Sequence, residues 1–300
     1  EIRPRDWSSD VCSSDLATFI SPAVAQEAYP AREIRIVCGY AAGTGADVIV
    51  RIFADRLRQF TDGKPVIVTD PWFGDEEPAY FGSWVLSHRI PAQLKEDIAR
   101  CEFVWFSHGH PDHLNPTSLE RFRSKKILLP DHVGSRILKD LTPGGYNVTV
   151  LPDRKWVSLS DNIRVHCITT QIQDAVLLLD VGGKLFINLN DAGMRDCVRH
   201  IRGISRHFRD SFVLPLSGYG DADMINFFKE DGSFVVPRAA RKPSVGGQLT
   251  NLVKATGARA VIPFSSFHQY QREDSMWAQA YTTPMDAFTQ GLAPARAEAS

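Results

Sequence analysis

The sequence predicts a layered α/β protein built around a mixed sheet. Short runs rich in β-branched and aromatic residues recur from about residue 66 onward, stretches with helical apolar spacing separate some of them, and others follow one another at hairpin distance. The β-rich runs are Phe103 to Phe106, Lys126 to Leu129, Asn147 to Leu151, Ile163 to Thr169, Ala175 to Asp180, Lys184 to Asn188, Phe212 to Leu214 and Ala260 to Phe264. Helices are expected over Pro91 to Arg100, Pro116 to Phe122, His132 to Asp140, Gly193 to Ile201 and Val245 to Thr256. A helical crossover returns the chain parallel and a tight turn returns it antiparallel, so the two connection types together predict mixed pairing.

Composition narrows the function classes. The 300 residues are 43% hydrophobic and 23% charged, which argues against a disordered chain, a collagen or a coiled coil. Lys and Arg number 34 against 35 Asp and Glu, so the net charge of -1 gives no support to a surface made for nucleic acid. No apolar run reaches the roughly 18 residues of a membrane span. The five cysteines, Cys12, Cys38, Cys101, Cys167 and Cys197, include no C-x-x-C pair, which predicts neither a disulfide framework nor a cysteine zinc knuckle.

The first 67 residues read differently from the rest. Residues 1–16 lack periodicity and carry the near-repeat Ser8-Ser9-Asp10 and Ser13-Ser14-Asp15, and the string DWSSDVCSSDL resembles the conceptual translation of a sequencing-library adapter. Ala23-Val24-Ala25 fits the small-x-small rule of a secretory cleavage site, behind only a stub of apolar residues. The segment YPAREIRIVCGYAAGTGADVIVRIFADRL then reads as strand, loop and helix. It resembles the start of periplasmic solute-binding proteins of the tripartite tricarboxylate transporter family. That resemblance implies a carboxylate held by the loop and helix end at Gly43, Thr44, Ala46 and Asp47. It covers residues 17–67 and stops, leaving one wall of a two-lobed cleft.

The strongest chemical signal is Phe106-Ser107-His108-Gly109-His110-Pro111-Asp112-His113, an apolar strand running into three imidazoles and a carboxylate. Imidazole nitrogen and carboxylate oxygen suit zinc and similar divalent ions, and a tight loop brings them together at little ordering cost; Gly109 and Pro111 are expected to sharpen its bend. The pattern H-x-H-x-D-H after a strand resembles the metal-binding motif of the metallo-β-lactamase superfamily. Two further strand ends are similar to later ligands of that superfamily: Asp191, closing Leu185 to Asn190, and His268, after Ala260 to Phe264. Where most members carry another His, this chain has Gln171, a weaker zinc ligand. Either one metal site is attenuated, or Asp174 or His166 takes the place, or the ion is a harder one such as Mn or Fe. Asp70, in Thr69-Asp70-Pro71-Trp72, resembles the early strand-end Asp that orients the ligand loop.

The resemblance implies a four-layer αββα sandwich over residues 68–292, lacking its first strands and followed by a tail at 293–300. It implies His108 and His110 on one metal, Asp112, His113 and His268 on the other, and Asp191 bridging, with Asp112 and Asp191 serving catalysis. The expected cofactor is one or two divalent ions, Zn before Mn or Fe, and the expected partner is a small-molecule substrate with an ester, lactone or phosphodiester bond. The segments DPWFGDEEPAYFGSW and PFSSFHQYQREDSMWAQAYTTP lean toward the lactonase-like members and the corresponding part of CMP-sialic acid hydroxylases. The paired Cys and His of a Rieske site have no counterpart in this spacing, so hydroxylation by this chain alone is not predicted. Trp72, Phe73, Tyr80, Trp84, Tyr219, Tyr270 and Trp277 are candidates to shape a pocket, and Arg238, Arg241 and Lys242 to meet an anionic group. A cytoplasmic setting suits the hydrolase-like part and a periplasmic one the transporter-like part. The whole is expected to be a fusion of adapter, truncated binding protein and truncated hydrolase, with the junction between Thr61 and Asp70. The alternatives are a periplasmic carboxylate-binding protein and an inactive scaffold of the same fold.

Overall fold

Side-chain alternation along a few short strands decides the layering. A computed structural model describes residues 66–73, 78–87, 89–194, 196–216, 228–235, 245–262 and 268–282. The leader, the loop at Gly43, Thr44, Ala46 and Asp47, and Tyr219, Arg238, Arg241 and Lys242 lie outside the described residues.

Strands β1 (Ile67–Thr69), β3 (Phe103–Trp105), β4 (Lys126–Pro130) and β5 (Asn147–Leu151) form one sheet in the order β1-β3-β4-β5, parallel throughout. Helices α1 (Ala92–Ala99), α2 (Pro116–Glu120) and α3 (Arg136–Leu141) lie in its connections, as parallel pairing requires. The second sheet has the order β11-β10-β9-β8-β7-β6. Here β6 (Trp156–Ser160), β7 (Ile163–Thr169), β8 (Ala175–Val181) and β9 (Lys184–Asn190) make an antiparallel meander. The strands β10 (Asp210–Pro215) and β11 (Ala260–Val261) continue from β9 in parallel, after α4 (Val198–Ser205) and α5 (Val245–Thr256). A separate ribbon pairs β2 (Trp84–Leu86) with β12 (His268–Tyr270).

Successive strand residues point to opposite faces, and the core follows that rule. Trp105, Leu128 and Leu151 meet Val165, Cys167 and Leu177 between the two sheets. Val104, Ile127 and Leu129, one position away in sequence, pack outward on Ile98, Leu119, Phe122 and Leu141. On the far side Ile168, Leu178 and Ile187 pack on Ile201, with Leu252 and Val253 of α5 beside them. The result is the αββα sandwich expected. Among the described residues no helix is long and apolar enough to cross a membrane.

Two helix starts differ from the sequence expectation. The helix expected from His132 begins at Arg136, because Gly134 and Ser135 take left-handed φ of 81° and 49°. The helix expected from Gly193 begins at Val198, after Gly193 adopts φ 65°. The second turn lies two residues after Asp191, just past β9.

Candidate metal centre

All four strands of the first sheet point their carboxyl ends the same way, and the polar cluster gathers there, as ligands do in open α/β sheets. The loop after β3 carries His108, His110, Asp112 and His113. Its exit is fixed by Asn115, whose side chain accepts from Thr117 N at 3.0 Å and Ser118 N at 3.3 Å and donates to Pro111 O at 3.2 Å. Pro116 in the first turn, whose missing N–H is an orphan donor anyway, completes a favourable helix start. Gly109 has no left-handed φ, so the bend does not depend on glycine.

Beneath the loop lies Asp70, just past β1, at φ 44°. Its carboxylate accepts from Ser107 N at 2.7 Å and Ser107 Oγ at 2.8 Å, and stands 3.2 Å from His113 Nδ1. The buried Ser107 hydroxyl lies 2.9 Å from His108 Nδ1. One acid thus fixes the backbone of the loop and two of its side chains. Ser107 was not singled out in the sequence. Its signal is only its place directly before the first His.

His108 Nε2 and His110 Nδ1 are 2.7 Å apart, and Asp191, just past β9, brings Oδ2 to 4.0 Å from His108 Nε2. These three residues each offer a ligand atom, all within 4.8 Å of one another, a spacing a single divalent ion can bridge. Asp191 Oδ2 also lies 3.5 Å from His113 Nε2, and Asp112 Oδ2 lies 3.5 Å from the same nitrogen. A second group of donors therefore shares Asp191 with the first. The sheets are tied beside it by Asn188 Nδ2, which donates to Thr69 Oγ1 at 3.3 Å.

Gln171 is exposed on the turn between β7 and β8. Asp174, at the end of that turn, is the residue whose Oδ1 stands 3.4 Å from His108 Nδ1. His166 is on the outer face of β7, where its Nε2 meets Nε2 of His200 at 2.8 Å. His268 is buried, and its ring stacks on Trp84 at 3.5 Å. Among the described residues neither of its nitrogens has a hydrogen-bond partner. It is not one of the three convergent donors, although the stack runs on from Trp84 to Tyr80, at 4.8 Å between centroids. Tyr80 donates to Asp112 Oδ1 at 2.7 Å.

Burial and charge set the protonation states. Burial, with the charge of His113, lowers His108 to about 3, leaving it neutral. Burial opposes protonation of His113, but Asp112, Asp191 and Asp70 outweigh it and hold the imidazole well above its ordinary value. Burial would raise Asp191, yet the neighbouring His113 brings it down to about 2. Burial and the charge of Asp191 lift Asp174 to about 6, and burial lifts Asp112 as well. A neutral imidazole beside an ionised carboxylate is the state a divalent ion needs in its ligands.

No family model matches the chain. It is similar to the cytidine monophosphate-N-acetylneuraminic acid hydroxylase of Xenopus laevis, 25% identical over 232 residues, which is 74% of this chain and 39% of that protein. The hydroxylase of the same name from Danio rerio is 26% identical over 165 residues, 52% of this chain and 27% of that one. The chain thus spans well under half the length of these curated relatives. Among solved structures, the isothiocyanate hydrolase from Delia radicum gut bacteria superposes with a TM-score of 0.42 at 15% identity, over 66% of this chain and 77% of that chain.

Proposed function

We propose that residues 68–292 form a metal-dependent hydrolase of the metallo-β-lactamase type, acting on an ester, lactone or phosphodiester bond. The observation that carries the reading is the convergence of His108, His110 and Asp191 at strand ends of two different sheets. Two imidazoles and a carboxylate fit a divalent ion, whether Zn, Mn or Fe. When bound, such an ion supplies the Lewis acidity that makes water nucleophilic at neutral pH and polarises the oxygen of the scissile group.

The chain's own residues supply the rest. Asp191 presents one oxygen to both donor groups and so holds them at a fixed separation. Asp70 and Ser107 hold the imidazoles of His113 and His108 in one orientation, the usual role of hydrogen bonds behind ligands. Asp112 offers Oδ2 to orient the attacking water and receive its proton, while Tyr80 occupies Oδ1 and keeps the carboxylate from rotating. Asp174 Oδ1 stands 3.4 Å from the same His108 nitrogen that Ser107 meets, and backs it from a second direction.

Elemental analysis of the purified chain, with His110→Ala beside it, tests the reading. One or two equivalents of Zn, Mn or Fe, lost in the variant, and turnover of an ester, lactone or phosphodiester are expected. A folded chain without metal overturns it.

A further inference from the structure

A cavity of about 320 Å3 opens directly beside His108, His110 and Asp174. Its volume is at the small end for ligand pockets, so it suits a small molecule. Leu114, Leu129, Ile137, Leu138, Val150 and Ile172 give it an aliphatic wall, to which His132, Ser135 and Gln173 add polar groups. The aliphatic residues come from the ligand loop, from α3, from the parallel strands and from the turn that carries Asp174. Gly109, between the two imidazoles, also lines it, and a Cβ there would meet Ile137 Cδ1 at 3.7 Å, an ordinary contact.

The charged side chains at the cavity do not favour an anion. Its basic side chain, Arg136, is exposed and faces Asp140 at 3.8 Å on the same helix. Asp174 adds a carboxyl group at the inner end. An anionic substrate group would gain little from an exposed, already paired Arg and would be repelled by Asp174. An uncharged aliphatic group, in contrast, gains the transfer of its surface out of water.

Resting on the hydrolase reading, we infer that this cavity takes the aliphatic acyl chain of a small uncharged carboxylic ester or lactone, its carbonyl directed at His108 and His110. Water adds across the acyl C–O bond, so the acid keeps the chain in the cavity and the alcohol leaves. Ile172, 69% exposed at the mouth, is then explained as a surface that a bound chain covers.

Binding and turnover are measured separately on the full zinc-loaded chain. Acetamide, butanamide and hexanamide present the same neutral carbonyl with growing chains, and ligand-observed NMR gives their Kd. Affinity is expected to rise about fourfold per methylene until the cavity is full. Ile172→Asp, at an exposed position that folding tolerates, and Ile137→Phe, which fills the cavity, should each flatten that gradient with metal content unchanged. Equal affinity across the series, or a gradient untouched by both variants, overturns the inference. Faster cleavage of bis(4-nitrophenyl) phosphate than of 4-nitrophenyl butanoate overturns the substrate class. Graded amide binding with no ester cleaved supports the cavity and sinks the hydrolase reading instead.

Discussion

Tyr80 reaches Asp112 from a turn in which Tyr80, Phe81 and Gly82 all have positive φ, at 49°, 57° and 84°. Two consecutive non-glycine residues in the left-handed region are held there against their own preference. The turn is closed by Ser83 N to Tyr80 O at 3.1 Å, and the Tyr80 ring is wedged against Trp84. Tyr80→Phe is expected to keep its metal and lower kcat by about ten- to a hundredfold, the range of a hydrogen bond to a charged group. Steady-state kinetics with elemental analysis on the same sample checks this.

Asp70→Ala strips the acceptor from Ser107 N and Oγ and from His113. Metal affinity is expected to fall about 10- to 100-fold, and stability by about 1–3 kcal/mol from the abandoned buried donors. Competition with a chromophoric chelator and urea unfolding read the two effects.

Asn115→Ala should destabilise the chain by about 1 kcal/mol through the loss of the α2 cap. The lost bond to Pro111 O should also loosen the ligand loop. A lower urea midpoint with unchanged slope is the expected result, and a larger loss for the metal-free than for the metal-loaded protein marks the loop's share.

Burial, with His200 next to it, lowers His166 from 6.5 to about 4. The unfolded chain therefore binds more protons at this position between those values. Its contribution is intact above about pH 6.5 and is lost as pH falls toward 4. Urea midpoints at pH 7, 6 and 5 should decline more steeply for the parent than for His166→Gln. Parallel declines would remove His166 as a cause.

The local parts of this fold were legible and the long-range parts were not. His108 to His113 stand out because six consecutive residues carry four ligand-type side chains. The extents of β5, β7 and α5 follow directly from apolar spacing. By contrast β2 and β12 are three residues each, too short for alternation, and pair across most of the domain. At the β7–β8 turn the resemblance set Gln171 at the place of a His, with Asp174 as an alternative; the turn exposes Gln171 and returns the chain so that Asp174 faces His108. His166 and His200 show no sequence relation, since only the docking of α4 on β7 makes them neighbours. The resemblance suggested His268 as a ligand; its ring is laid on Trp84, and its two buried nitrogens have no hydrogen-bond partner among the described residues.

The donors of the metal centre straddle the interface between the sheets, with His108 and His110 on one and Asp191 on the other. An ion held by all three would work as a rivet, because its carboxylate donor comes from the other sheet. Its binding free energy is then added to the docking of the layers, about 4 kcal/mol when free metal exceeds Kd a thousandfold. Chelation should accordingly weaken the seam across the whole sandwich, separating the sheets before either one frays.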